Sequence, residues 1–212
     1  NIGYWAAVAI PVRKGFSGVT PLPGWDGEHE WSGYLPFSEQ PHLINPACGY
    51  IATANNKHRR HSRFPVSHAY AVPDRIVRIQ ELLRDKQKLG VSDMKRIQND
   101  VLFVLAREWV PLFREAAQGK ELGEIEDAAL SVFENWDFRA DVQSKGAALF
   151  GVVLQSLIEQ VFKDRLGPEL YPHYLQHKYL VFNALREMIR AGDSIWFDNP
   201  RTNKQETLQD VL

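Results

Sequence analysis

The sequence has 212 residues, of which 44% are hydrophobic, enough for a substantial buried core and more than a disordered chain carries. Its 25 Lys and Arg residues nearly balance its 26 Asp and Glu residues, which argues against a general nucleic-acid binder or membrane-surface protein. The single cysteine, Cys48, excludes an internal disulfide. No apolar run approaches the roughly 18 residues of a transmembrane helix, so the sequence predicts no membrane span.

The first third of the chain, residues 1–73, predicts strands and loops. The apolar runs "GYWAAVAI" and "YIATA" are typical of short strands, and Pro and Gly interrupt the segment between them. The start, "NIGYWAAVAI", lacks the basic region and cleavage pattern of a signal peptide. It resembles the middle of a strand, and we therefore expect that the chain is part of a longer one.

The remaining residues, 74–212, predict a helical part. Asp74 can cap a first helix that Gly90 ends, because a short polar side chain favours a helix start and glycine favours a helix end. Ser92 can cap a second, longer helix that continues to Leu105 and beyond, with Pro111 kinking it or starting a new turn. The fold class predicted for the whole chain is α+β and mostly helical.

Three more helices are expected, followed by the first turns of a helix in the tail "TNKQETLQDVL". The third helix is predicted from about Glu124 to Asn135, and the fourth from about Ser144 to Leu166. The fourth is apolar on most faces, which is the pattern of a helix buried in a larger body. The fifth is expected between about Pro172 and Ala191, with a glycine next in the chain as its stop.

Histidines, basic residues and tryptophans offer three candidate sites, each with a simpler interpretation. The pairs His58/His61 and His173/His177 have spacings that could share a metal, but no Cys cluster accompanies them, so packed or solvated histidines are favoured. The run "KHRRHSR" could contact nucleic acid, but a surface that pairs with carboxylates suits a neutral chain better. The six tryptophans could form a ligand platform, but core packing is favoured.

The segment "NPACGYIATANN" ends in two adjacent side-chain amides, which are costly to bury without partners. An amide at the end of a rigid strand can act as an oxyanion donor. The alternative is a turn in which Asn55 and Asn56 bond their own backbone, and the residues by themselves favour this turn. The sequence contains no G-x-S-x-G elbow, P-loop or dinucleotide glycine pattern, and no self-sufficient catalytic motif.

Read in order, several segments resemble the penicillin acylase (penicillin amidase) family of N-terminal nucleophile hydrolases over nearly the whole chain. They are "NIGY", "PLPGWDGEHEWSGYLPF", "NPACGYIATANN", "DRIVRIQELL", "SDMKRIQND" and "WFD". The resemblance implies a four-layer αββα sandwich, of which this chain carries a few strands and a helical remainder. It also implies autocatalytic cleavage into a small and a large chain, the large one beginning with a nucleophilic serine whose α-amino group acts as the base.

The resemblance also implies roles for particular residues. Asn55 matches the asparagine that donates its amide to the oxyanion, and Arg75 matches the arginine that orders this asparagine. Residue 1 is Asn1, which has no hydroxyl, so the nucleophile is expected outside this chain. We interpret residues 1–212 as an internal fragment of the large chain, inactive by itself. His68 occupies the position of an Asp ligand to the structural calcium of several members, and imidazole is a poor ligand for calcium.

The predicted function of the intact protein is hydrolysis of N-acyl amides, such as penicillins, cephalosporins or acyl-homoserine lactones, without a cofactor. Its expected partners are the remainder of the parent enzyme (the small chain and the N-terminal part of the large chain) and a small N-acyl substrate, with no nucleic acid. The resemblance implies a periplasmic or extracellular location. The alternative is a non-catalytic helical module that binds another protein.

Overall fold

The computed structural model describes residues 1–57, 66–84 and 88–212. Strands β1 (Gly3–Trp5) and β2 (His42–Ile44) form a small antiparallel sheet in which Tyr4 lies opposite Leu43. The rest of the regular structure is helical, which confirms the predicted mostly helical α+β class. The helices are α1 (Asp74–Arg84), α2 (Val91–Gln98), α3 (Val104–Ala117), α4 (Glu124–Glu134), α5 (Lys145–Leu175), α6 (Lys178–Ala191) and α7 (Leu208–Val211), with a 3-10 turn at Phe37–Glu39.

The run "YIATA" is not a strand, so that prediction is wrong. The backbone around Ala54 makes hydrogen bonds to side chains, because its N–H donates to Asn56 and its carbonyl oxygen accepts from Arg75. The next carbonyl oxygen, that of Asn55, accepts from the N–H of Ala71 at 2.8 Å. The backbone groups of Ala54 and Asn55 are thus bonded to side chains and to one loop residue, and not to a neighbouring strand as in a β-ladder. The division into residues 1–73 and 74–212 stays a prediction.

The predicted long second helix is two helices, and the reason is a backbone pairing that local sequence does not encode. Between α2 and α3, Leu102 forms an antiparallel bridge with Arg139. The N–H of Phe103 donates to the carbonyl oxygen of Phe138 at 2.8 Å. These bonds hold residues 101–103 extended, so α3 begins at Val104 and then continues through its proline.

Local stop and start signals set several of the other helix ends. The predicted start near Ser144 is confirmed, and Ser144 caps α5 because its Oγ accepts the N–H of Ala147 at 3.2 Å. Gly192 ends α6 at a φ of 72°, as predicted. The prediction for α1 is wrong at its end, because Lys88 already lies outside the helix and Gly90 instead caps α2.

The predicted boundary between the fourth and fifth helices is confirmed at Gly167. Its φ of 70° and ψ of 176° interrupt α5, and only glycine adopts such a backbone without strain. The predicted fifth helix is itself divided at Gln176 and His177, before α6 begins at Lys178.

The core lies between α3, α4, α5 and α6, with the C-terminal turns packed on it. Phe150 of α5 is fully buried, and its ring centroid lies 5.1 Å from that of Phe103 and 6.1 Å from those of Phe113 and Trp136. The sequence predicts a helix that is apolar and buried on most faces, but among the described residues the buried positions of α5 lie along one face. They are Gly146, Phe150, Leu154, Leu157, Ile158, Val161 and Phe162.

The tryptophans divide between core and surface. Trp109 is 1% exposed and Trp136 is 9% exposed, whereas Trp25 is 89% exposed and Trp31 is 55% exposed. Trp5 is stacked on the Phe37 ring, with the centroids 4.4 Å apart. Core packing therefore accounts for part of the set only.

Helix α5 is long enough and apolar enough to cross a membrane, judged by length and composition over the described part of the chain. This is weak evidence, because the core helix of a globular protein passes the same test. The apolar residues on the buried face of α5 pack in the core of the protein, against α4 and α6. The absence of a membrane span stays a prediction.

An ion-pair chain joins α1 to the residues before and within α3. Arg78 donates to both carboxylate oxygens of Asp100, at 2.7 and 2.9 Å, and also to Glu81. Glu81 accepts in turn from Arg107 at 2.5 and 3.2 Å. The hydrogen bond from Arg78 lowers the pKa of Asp100, and that from Arg107 lowers the pKa of Glu81.

The substitution Asp100→Asn is expected to lower the free energy of unfolding at pH 7 by about 1.5–3 kcal/mol, the contribution of hydrogen bonds to charged groups. Because the folded-state pKa of Asp100 is lowered, this contribution is complete above the unfolded pKa of about 3.9 and is lost as the pH falls below it. Urea denaturation at pH 7 and at pH 2.5 measures the effect. An equal difference between variant and wild type at both pH values would contradict it.

Candidate active site

The two adjacent amides have different environments. Asn56 makes a turn, since its Oδ1 accepts the N–H of Ala54 at 3.0 Å and its Nδ2 donates to the carbonyl oxygen of Lys57 at 3.1 Å. Asn55 has a left-handed backbone with a φ of 58°, a conformation that asparagine tolerates better than most residues. The turn predicted for the pair is therefore formed by Asn56, whereas the side chain of Asn55 contacts a distant residue, Arg75.

Arg75 holds the side chain of Asn55. Its Nη2 donates to Asn55 Oδ1 at 2.9 Å and to the carbonyl oxygen of Ala54 at 3.0 Å. No residue within 1–57, 66–84 or 88–212 accepts a hydrogen bond from Asn55 Nδ2. The guanidinium thus orients the amide and leaves its N–H donors unpaired in the described part of the chain.

The segment that carries Arg75 is itself tied to α6. Asn183 Nδ2 donates to the carbonyl oxygen of Tyr70 at 2.9 Å, and Arg186 Nη1 donates to Asp74 Oδ1 at 2.9 Å. Asn183 and Arg186 were not among the residues predicted from the sequence. Their position in the sequence could have indicated them, because both polar residues lie on or beside the apolar face of α6. A polar side chain on such a face is expected to have a hydrogen-bond partner.

Arg186 is 4% exposed and lies between two carboxylates, those of Asp74 and Glu108. Burial by itself lowers the pKa of Arg186, because it disfavours the charged form. Hydrogen bonds to Glu108 and Asp74 raise this pKa, and the net pKa of Arg186 is raised. Arg190, on the next turn of α6, lies 3.4 Å from the same Glu108 carboxylate. The pairing of a buried cation with two carboxylates accounts for its retention in the core.

An open cleft of about 410 Å³ lies at the asparagine pair. Its walls are Thr53, Ala54, Asn55, Asn56, Ala69, Tyr70 and Arg75. A larger cavity of about 680 Å³ adjoins it, because the two share Thr53, Asn56, Ala69 and Tyr70. The larger cavity also has apolar side chains from α1 and α6, among them Ile76, Val77 and Leu180.

His68 is exposed and lies on the loop between the asparagine pair and α1. Among the residues that the structure describes, no group of three or more His, Cys, Asp or Glu side chains is arranged to hold a metal ion. Calcium binding through His68 stays an open question of the intact protein, since imidazole is a poor ligand for this ion. His173 and His177 lie on either side of a helix boundary, while His58, His61 and most of the run "KHRRHSR" lie outside the described residues.

Comparison with known proteins decides the family. The family model of penicillin amidase matches residues 1–212, the whole chain. The chain belongs to the penicillin amidase family. This confirms the resemblance inferred from the ordered segments and places the Asn55 and Arg75 pair in a family of hydrolases.

Two curated relatives are similar to this chain. Acyl-homoserine lactone acylase QuiP of Pseudomonas syringae pv. tomato is 27% identical over 231 residues, which cover 100% of this chain and 28% of that protein. Penicillin acylase 2 proenzyme of a Pseudomonas species is 30% identical over 165 residues, which cover 76% of this chain and 21% of that protein. The matched segments thus span 28% and 21% of the lengths of these two relatives.

A solved structure supports the fold. Thermostable penicillin G acylase from Alcaligenes faecalis superposes with a TM-score of 0.65 at 23% identity, over 80% of this chain and 32% of that chain. At this identity the likeness shows the fold alone. The described residues therefore match part of a penicillin acylase fold.

Proposed function

We propose that this chain supplies the oxyanion-stabilising amide of an N-acyl amide hydrolase, and that Asn55 is this amide. The contact that supports the proposal most directly is the bond from Arg75 to Asn55 Oδ1 at 2.9 Å. It fixes the amide plane at the wall of the cleft and leaves the Nδ2 hydrogens free of described partners. An oxyanion donor must be aimed before the reaction begins, and a bound guanidinium supplies that preorganisation.

The reaction follows the logic of an N-terminal nucleophile. A serine hydroxyl attacks the amide carbonyl while its own α-amino group takes the proton, and the carbonyl oxygen becomes an oxyanion. Asn55 Nδ2 donates a hydrogen bond to this oxyanion. Collapse of the intermediate breaks the C–N bond while the α-ammonium group gives its proton to the leaving amine. Water then hydrolyses the remaining acyl-enzyme to the acid and the free serine.

We propose that the nucleophilic serine lies in a part of the protein outside residues 1–212, because these residues match only 28% of the length of the acylase relative. Release of a serine at a chain terminus requires proteolytic processing, and one relative is named as a proenzyme. The partners of this chain are then the small chain and the N-terminal part of the large chain. We propose that residues 1–212 are inactive by themselves and that the site lies in the periplasm or outside the cell.

The substrate class is a small N-acyl compound. The relatives are named for acyl-homoserine lactones and for penicillin, and both kinds of molecule contain an amide between an acyl group and a ring-bearing amine. The apolar cavity beside the cleft has a volume suited to a small organic group.

Incubation of the full gene product with a phenylacetyl penicillin and with N-acyl homoserine lactones tests this function. We expect release of the free amine from at least one of them, and mass spectrometry of the active protein should find a chain that begins with serine. Residues 1–212 purified alone should release none. Turnover by residues 1–212 alone would contradict an external nucleophile. A full gene product that is inactive on every N-acyl compound would favour the helical interaction module instead.

A further inference from the structure

We propose that Asn183 and Arg186 of α6 are positioning residues for the Asn55 amide. This inference rests on the proposed function and adds the part of the protein that holds the oxyanion donor in place. Neither side chain contacts Asn55. They act on it through the segment 70–75, which contacts Asn55 directly.

The first connection passes through the backbone of this segment. Asn183 Nδ2 donates to the carbonyl oxygen of Tyr70 at 2.9 Å, and the N–H of the next residue, Ala71, donates to the carbonyl oxygen of Asn55 at 2.8 Å. Two hydrogen bonds on adjacent residues therefore join α6 to the asparagine. Tyr70 also forms part of the cleft wall, so its position shapes the site as well.

The second connection passes through the first residues of α1. Arg186 Nη1 donates to Asp74 Oδ1 at 2.9 Å, and the neighbouring Arg75 donates to Asn55 Oδ1 at 2.9 Å. Arg186 and Asn183 are three residues apart on one helix and therefore lie on the same side of it. Because Arg186 also binds Glu108 of α3, this connection anchors the start of α1 to the helical core.

These contacts matter because the local backbone around Asn55 has no regular structure of its own. Residues 51–57 and 66–72 belong to no helix or strand, and Asn55 has a φ of 58°. Their relative position therefore depends on tertiary hydrogen bonds. Displacing a catalytic group by about 1 Å can cost on the order of a hundredfold in rate, so an anchor for this loop bears on turnover.

The test uses Asn183→Leu in the full gene product, because this substitution removes the donor and keeps a similar size. We expect kcat to fall about tenfold or more, within the hundredfold that misplacement of a catalytic group can cost, while KM changes little. Asn183→Asp, which also removes the amide donor, serves if the leucine variant fails to fold. Arg186 is less suitable, since its removal leaves the Asp74 and Glu108 carboxylates without their shared cation.

The matched control is Arg165→Met. Arg165 Nη2 also donates to a backbone carbonyl far along the chain, that of Asp198, at 3.0 Å, but it has no bond to the segment 70–75. We expect both variants to lower the melting temperature, and only the change at Asn183 to lower kcat. Equal losses of kcat in the two variants would show a general stability effect and overturn the proposal.

A double-mutant cycle with Asn55→Gly separates positioning from other roles. If Asn183 acts through the Asn55 amide, Asn183→Leu should lower kcat in the wild type and have no further effect when the amide is absent. The same fold loss in both backgrounds would overturn the inference while the oxyanion role stands. If Asn55→Gly alone leaves kcat unchanged, the proposed function fails and the positioning role fails with it.

Discussion

In the full gene product, Asn55→Gly is expected to lower kcat by about a hundredfold to a thousandfold, the usual cost of one missing oxyanion donor. Glycine removes the amide and adopts the φ of 58° without strain, so the fold of the loop should be preserved. Asn55→Ala should lose the same activity, with an added cost of about 1–2 kcal/mol for a left-handed alanine. Steady-state kinetics and a thermal melt measure the two effects separately.

Two further variants test the N–H donor of Asn55 and the guanidinium geometry of Arg75 separately. Asn55→Asp keeps the size of the side chain but has no N–H donor when ionised, so it should be at least as inactive as the glycine variant. Arg75→Lys keeps the positive charge, yet a single ammonium group lacks the planar guanidinium geometry with which Arg75 Nη2 contacts both Asn55 and Ala54. Its kcat should lie between those of wild type and Asn55→Gly. A kcat for Asn55→Gly within twofold of wild type would refute the oxyanion role.

Phe150→Ala is expected to lower the free energy of unfolding by about 3–5 kcal/mol, the usual cost of removing a buried Phe ring. Phe150 is fully buried on α5, and its ring lies among those of Phe103, Phe113 and Trp136. The cavity left by this substitution is not expected to collapse, because the core around it is closely packed. Gly146 lies one helical turn before Phe150. It packs so closely against Trp136 that an added Cβ would lie 2.3 Å from the indole Cγ.

The matched control for this prediction lies on the same helix. Val152 is 64% exposed, so Val152→Ala removes apolar atoms from the solvent-facing side and should change the stability by less than about 0.5 kcal/mol. Chemical denaturation of both variants measures the difference. Similar losses for Phe150→Ala and Val152→Ala would mean that α5 is not buried on the side described.

Helix ends that depend on a single local signal could be predicted from the sequence. Ser144 caps α5 with its own hydroxyl, and Gly192 ends α6 because glycine enters the left-handed region without strain. Each signal acts over a few residues and needs no distant partner. The order of the segments along the chain was similarly sufficient to indicate the family, and through it the pairing of Asn55 with Arg75.

Other features depend on residues far apart in the chain and could not be predicted. The extended residues 101–103 exist because Phe103 bonds to Phe138, and helical spacing in the local sequence favoured a continuous helix there. The run before Asn55 is apolar enough for a strand, but no described strand pairs with it, and its backbone bonds instead to Arg75 and Ala71.

By itself, then, the sequence of this chain determined its mostly helical class, several helix ends and the family to which it belongs, because these follow from local propensity and from the order of motifs. The tertiary structure alone decided which partners each of the two amides has. Asn56 uses its side chain within a turn, whereas Asn55 is held by Arg75, from 20 residues further along the chain. Hydrogen bonds between distant residues select that arrangement, and a pattern of neighbouring residues does not encode them.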